Sequence, residues 1–139
     1  VRYLLDTNVL SEPARPAPDA AVLAWLDARP ALDFAISALT LGEIAKGVSL
    51  LPEGRRRERL MEWLATELPG QFAGRVLAID EAVAQVWGQL AAEGRRTGRE
   101  LPVIDGLLLA TAGAHSLTLV TRNERDCSGR GVPVVNPWR

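Results

Sequence analysis

One cysteine, one histidine and one methionine stand among the 139 residues, and Lys46 is the only lysine beside fifteen arginines. Each scarcity removes a class of chemistry. A lone Cys127 cannot close an internal disulfide, so a reducing compartment, the cytoplasm, is the default location. His115 and Cys127 are the only soft donors, too few to assemble a zinc site. Long apolar runs are missing as well. The longest, Leu107 to Ala114, is broken by Thr111 and Gly113, and it falls well short of the roughly 20 residues a membrane span needs. The opening VRYLLDTN carries an acid where a signal peptide needs an apolar stretch. Nor is there an excess of one charge. Sixteen basic residues against seventeen acidic ones leave a net charge of −1, which excludes a protein that grips nucleic acid through its whole surface.

What is present is the composition of a globular domain, 47% hydrophobic and 24% charged, without repeat, low-complexity tract or linker. One domain over 1–139 is the expectation. Tyr3-Leu4-Leu5 reads as a first strand that ends abruptly at Asp6. Thr7 to Glu12 reads as a turn or two of helix stopped by Pro13, Pro16 and Pro18. Asp19 caps a helix to Arg29, with Val22, Leu23 and Leu26 at helical spacing. Phe34-Ala35-Ile36 forms a second strand, and Ser37 caps a helix that Pro52 stops. Glu53 to Leu68 reads as a helix with Leu60, Met61, Leu64 and Leu68 inward, ended by Pro69-Gly70. Arg75 to Ile79 is a third strand. Asp80 then caps a long helix with Val83, Val86, Trp87 and Leu90 on one face. A helix over Val103–Ala114 follows, then strands at Leu117–Thr121 and Val132–Val135. This alternation predicts an α/β sandwich over a mainly parallel sheet.

In an open parallel sheet, ligands bind beyond the carboxyl ends of the strands. Asp6 is the first residue past strand one. Glu43 lies two turns into the helix after strand two, and Asp105 starts the helix after the third strand unit. Asn123 and Asp126 follow the Leu117–Thr121 strand. Acids gathered at one edge repel one another and resist ionising unless a cation joins them. An oxygen-only set favours Mg²⁺, with Mn²⁺ as a substitute, over softer metals. Asp6 and Asp105 also sit beside strongly apolar sequence, where a charge needs a partner. Thr40, Glu43 and Gly47 share one helix face. Gly47 there either leaves room for a substrate backbone or, with Gly42, permits close helix packing. Two other phosphate-handling folds are excluded. A receiver domain needs a late lysine, and a haloacid-dehalogenase-like phosphatase needs an Asp where this chain has Asn8.

LLDTNVLSE (4–12), ISALTLGEIAKGV (36–48), LPVIDGLLLATAGAHSLTLVTRN (101–123) and GVPVVNPW (131–138) together resemble a PIN-domain ribonuclease, specifically a VapC-type toxin of a type II toxin–antitoxin system. The resemblance runs from the first strand to the last residues, with four segments in the family's order. It implies an α/β/α sandwich around a five-stranded sheet and a Mg²⁺-dependent endoribonuclease that hydrolyses RNA with a metal-activated water. Asp6 and Asp105 would be metal ligands, with Glu43 completing the catalytic set directly or through water. Thr7, Asn8, Thr40 and Thr121 match small polar positions lining the site. Many relatives carry Asp where this chain has Asn123, with Asp126 three residues on, so one ion or two remain open, as does which of the two fills the fourth corner. Cys127 stands where an aromatic is frequent. The resemblance also implies an antitoxin partner, with an arginine suited to the acidic pocket, and a homodimer, for which Leu60, Trp63 and Leu64 are candidate surface. Arg95, Arg96 and Arg99 either reach a substrate phosphate or form a solvated helix end. Trp25, Trp63 and Trp87 read as core or interface. The alternative function is a catalytically weak scaffold that binds an antitoxin or RNA without cutting.

Overall fold

The computed structural model describes all residues, 1–139. Five short strands form one parallel sheet: β1 (Tyr3–Leu5), β2 (Phe34–Ser37), β3 (Val76–Leu77), β4 (Thr118–Val120) and β5 (Val134–Val135), in the order β3-β2-β1-β4-β5. The helices between them are α1 (Thr7–Ser11), α2 (Ala20–Asp27), α3 (Ala38–Ser49), α4 (Arg55–Glu62), α5 (Leu68–Gln71), α6 (Glu81–Arg96), α7 (Val103–Ala114) and α8 (Glu124–Cys127). No helix is long and apolar enough to cross a membrane.

Side chains alternate across a strand, and the strands therefore feed two cores. Leu4, Ala35 and Leu119 pack with Leu108, Leu109 and Ala112 of α7 on one face. Leu5, Phe34, Ile36 and Val120 pack with Val9, Leu68 and Phe72 on the other. The result is the expected three-layer α/β/α sandwich with β1 at its centre.

Most helix starts are as the sequence predicts. The carboxylate of Asp19 accepts from the N–H of Ala21, the Ser37 hydroxyl from that of Leu39, and the Asp80 carboxylate from that of Val83. The first helix ends at Ser11, as expected, and Pro13 sits in the 3₁₀ turn over Glu12–Ala14 that follows, where its missing N–H costs no bond. Other expectations need correction. Pro69-Gly70 does not end the fourth helix. The chain widens into a π turn at Trp63–Glu67, with Leu68 N–H reaching the carbonyl of Trp63, and α5 then runs through the proline to Gln71. A π turn shifts the bonding frame just ahead of a residue that cannot donate. Met61 points outward, 45% exposed, whereas Leu68 is fully buried. The third and fifth strands are also shorter than predicted.

Gly106, beside Asp105, is required by packing. A Cβ there would meet Leu101 Cδ2 at 2.9 Å and Trp87 Cδ1 at 3.0 Å, so the glycine lets α7 close on α6 and sets where Asp105 lies. Gly106→Ala is expected to destabilise the fold by about 1–3 kcal/mol in urea unfolding.

Candidate active site

The register of the sheet assembles the site. Leu5 lies opposite Val120, and Leu4 opposite Ala35. One and two residues on, Asp6 and Thr121 come side by side at the carboxyl edge, with Ser37 in line to start the helix carrying Glu43. The backbone continues the ladder: Asp6 N–H donates to Val120 O at 2.9 Å and Thr121 N–H to Val135 O at 3.0 Å.

A continuous polar arc then joins the acids. Thr7 Oγ1 donates to Glu43 Oε1 at 2.8 Å, and Thr7 N–H to Asp6 Oδ1 at 2.7 Å. Thr121 Oγ1 donates to Asp6 Oδ2 at 2.7 Å, and itself accepts from Asn123 N–H at 3.1 Å. The Asn123 amide Nδ2 reaches Asp105 Oδ2 at 2.9 Å and Asp126 Oδ2 at 3.1 Å. Asn8 is exposed and accepts from Arg122 N–H at 3.4 Å. Thr40, one turn before Glu43, is fully buried with its hydroxyl unpaired.

The structure thus brings Asp6, Glu43, Asp105, Asn123 and Asp126 to one edge, with Thr7 and Thr121 between them. Burial raises the Asp6 carboxyl above its ordinary range; the Thr121 and Thr7 hydrogen bonds oppose this, and the charges of Glu43 and Asp105 add to it. Burial also raises Asp105, reinforced by Asp126 and Glu43 and opposed by Asn123 and Arg130. Burial and the neighbouring Asp105, Asp6 and Asp126 charges push the Cys127 thiol up to about 12, which leaves it a neutral core residue.

None of these acids is in an ion pair; the three in the chain are Arg15–Glu12, Arg96–Glu93 and Arg139–Glu124. A hard divalent cation suits such a set, since the carboxylates and hydroxyls of the arc offer oxygen and the neighbouring Cys127 thiol stays neutral. The cluster is not drawn into a closed cage, however, because no three of the acids stand close enough together to hold one ion. The Asn123 amide instead separates Asp105 from Asp126. The residues fit a metal that gathers its ligands on binding.

The arginines expected near a phosphate divide. Arg95 is exposed and makes no side-chain hydrogen bond, while Arg96 pairs with Glu93. Arg99 is a correction: it turns inward and donates to the carbonyls of Ser128 at 2.6 Å and Arg125 at 2.7 Å. Its fork is occupied by backbone, so it is not free for a phosphate. Trp25 and Trp63 pack on the second core, as does Trp138; Trp87 lies against Gly106.

Two features escaped the sequence reading. Glu12 is only 2% exposed and meets Arg15 Nη1 at 3.0 Å; an acid directly before Pro13 carried no sign of burial. Arg130 lies in a Gly-rich loop, where a structural arginine has no periodic signal.

The family model described as PIN domain matches residues 3–127. The chain belongs to the PIN-domain family. Within it, the chain is 43% identical over 135 residues to Toxin FitB of Neisseria gonorrhoeae (strain ATCC 700825 / FA 1090), which covers 97% of each chain. It is 36% identical over 135 residues to VapC ribonuclease Y4jK of Sinorhizobium fredii (strain NBRC 101917 / NGR234), which covers 97% of this chain and 96% of the relative. Among solved structures, that of FitAB bound to an IR36 DNA fragment superposes with a TM-score of 0.93 at 41% identity, covering 99% of this chain and 96% of its match. The five-stranded parallel PIN sandwich expected from the sequence is the fold observed.

Proposed function

We propose that this PIN-domain chain is a divalent-metal-dependent endoribonuclease, the toxin of a toxin–antitoxin pair. The observation that carries the reading is the hydrogen-bonded arc from Glu43 through Asp6 to Asp105 and Asp126, acids without a cationic partner at the carboxyl edge of the sheet. Asp6 and Asp105 would hold the ion, with Glu43 and the Asn123–Asp126 corner completing its surroundings. Mg²⁺ bound there supplies Lewis acidity at the phosphoryl oxygen and charge for the leaving 3′-oxygen. The remaining work belongs to the protein. Thr121 and the Thr7 N–H hold both Asp6 oxygens in place. Thr7 holds Glu43 through Oε1 alone, which leaves Oε2 to take a proton from the attacking water. Of Arg95, Arg96 and Arg99, only Arg95, exposed at the end of α6, is free to meet a phosphate.

Two relatives are named a toxin and a VapC ribonuclease, and the FitAB structure is that of a complex bound to a DNA fragment. A cognate antitoxin is accordingly the proposed partner here. A cleft of about 570 Å³ runs from Thr7 and Glu43 over Leu10 and Ile44 to Leu60 and Trp63. Its acidic end suits a guanidinium, and its apolar end suits a helix face. The dimer proposed from the sequence has less free surface than expected there, because Trp63 and Leu64 already pack on the second core. On this reading the protein acts in the cytoplasm, where its RNA substrate is.

The test is cleavage of total RNA by the purified chain with Mg²⁺ or with EDTA, followed by sequencing of the new ends. Discrete sites with 5′-phosphate and 3′-hydroxyl ends, absent in EDTA, are expected. Tight RNA or antitoxin binding without new ends would favour a binding scaffold instead, a reading to which the Asn123 bridge between Asp105 and Asp126 lends support.

A further inference from the structure

Beside the acidic edge lies a pair of arginines that the nuclease reading does not use. Arg99 stands in the loop before α7, and Arg130 in the loop after α8. Each donates to the backbone of the other's segment. Arg99 reaches the carbonyls of Arg125 and Ser128, as described above. Arg130 reaches Asp126 O through Nε at 2.6 Å, Arg99 O through Nη1 at 3.0 Å and Glu100 O through Nη2 at 3.4 Å. Neither pairs with a carboxylate within ion-pair distance.

We propose that Arg130 and Arg99 form a reciprocal clasp that positions the Asp105–Asn123–Asp126 corner of the site for a divalent cation; the proposal rests on the metal-dependent reading above. Helix α8 has four residues and no side-chain cap at its start, so its own hydrogen bonds leave its orientation weakly determined. Only Cys127 anchors it in the core. The two guanidinium forks supply the missing constraint, because each is planar and spans two or three carbonyls at fixed separation. Arg130 pins the backbone of Asp126, and the Asp126 side chain shares the Asn123 amide with Asp105. The clasp therefore sets the distance between the loop that leads into Asp105 and the turn that carries Asn123 and Asp126.

Gly94 shows that space is reserved for this arrangement. It is buried at the end of α6, and a Cβ there would meet Arg99 O at 2.6 Å and Arg130 Nη1 at 3.0 Å. A cavity of about 210 Å³ lined by Gly94, Thr97, Arg99 and Arg130 lies alongside, so the arginines are approached by solvent on one side. That gives a route for chemical rescue.

The experiment measures Mn²⁺ affinity of the full chain by the loss of the free-ion electron paramagnetic resonance signal. Arg130→Ala is expected to weaken Mn²⁺ binding about 10-fold or more, the usual size of an effect on residues that orient metal ligands. Arg130→Lys is expected to weaken it similarly, since one ammonium cannot replace a three-point fork. Millimolar guanidinium should restore much of the affinity of Arg130→Ala and none of that of Arg130→Lys, whose ammonium fills the space. The control is Arg75→Ala. Arg75 ties the carbonyls of Ala31, Phe34 and Gln71 at the opposite edge, so its loss should lower stability and leave Mn²⁺ affinity unchanged. If Arg130→Ala does not fold, Arg99→Gln, which removes the other half of the clasp, is measured in the same way. Unchanged affinity in the clasp variants overturns the proposal, as does an equal loss in Arg75→Ala. Absence of Mn²⁺ binding by the parent chain overturns the metal-dependent reading and this proposal with it.

Discussion

Asp105→Asn and Asp6→Asn are each expected to lower RNA cleavage at least about 100-fold, a loss of the size seen when one electrostatic stabiliser is removed from an active site. Asparagine keeps the volume of either side chain and removes the charge. At position 105 it also keeps an oxygen for the Asn123 amide, so the local structure has little reason to move. The metal-free fold should be at least as stable in Asp105→Asn as in the parent, because burial and the charges of Asp126 and Glu43 disfavour the ionised carboxylate there. Lost activity with undiminished stability distinguishes a metal ligand from a structural residue. Full activity in either variant, after stringent removal of contaminating nucleases, would sink the assignment.

The second large effect is the response of stability to Mg²⁺ and to pH. A cation that binds the folded chain and not the unfolded one stabilises it by about 2.7 kcal/mol at a hundredfold excess over Kd. For a chain of this length that is a rise in Tm on the order of 10 °C. Asp6→Asn and Asp105→Asn should abolish the rise. Without metal, the pH dependence follows from the two raised carboxyls. Each binds its proton more tightly in the folded chain than in the unfolded one. Their contribution is therefore fully present below the ordinary carboxylate range and is lost as pH rises through the raised folded values. Replacing Asp6 or Asp105 by Asn should remove part of that slope in urea midpoints measured from pH 4 to pH 7. Mg²⁺ competes with the same protons, so its apparent affinity should rise over the same interval. A Tm indifferent to Mg²⁺ in the parent chain would refute this account.

The parts of the molecule legible in the sequence were those governed by short-range rules. Tyr3-Leu4-Leu5 and Thr118-Leu119-Val120 are apolar runs ended by polar residues, and Asp19, Ser37 and Asp80 are caps whose function depends only on the next three residues. The strand-end rule selects Asp6, Glu43 and Asp105, which stand at one edge of the sheet although no three acids there are within reach of a single ion. What was hidden depends on contacts between distant segments. Met61 fits the helical pattern of Leu60 and Leu64, yet the π turn after it rotates the frame. Arg99 resembles its neighbours Arg95 and Arg96, and only the approach of the α8 segment turns it inward. Glu12 and Arg130 are buried or clasped by elements that composition cannot place. The bridging role of Asn123 was equally invisible, since its amide orientation is decided by two acids on different helices.

The bond from Thr121 to Asp6 joins residues 115 positions apart, and it has a consequence for biosynthesis. At about 5–20 residues per second, the ribosome needs on the order of ten seconds after making Asp6 before it reaches Thr121. Throughout that interval the nascent chain carries Asp6, joined in turn by Glu43 and only late by Asp105, without β4 and without the Asn123 amide. On the proposed nuclease reading, a fragment released by stalled translation would hold half of the candidate site and would not cut. Activity would then depend on the docking of the strand beside β1, and a partner would have that interval in which to reach the chain.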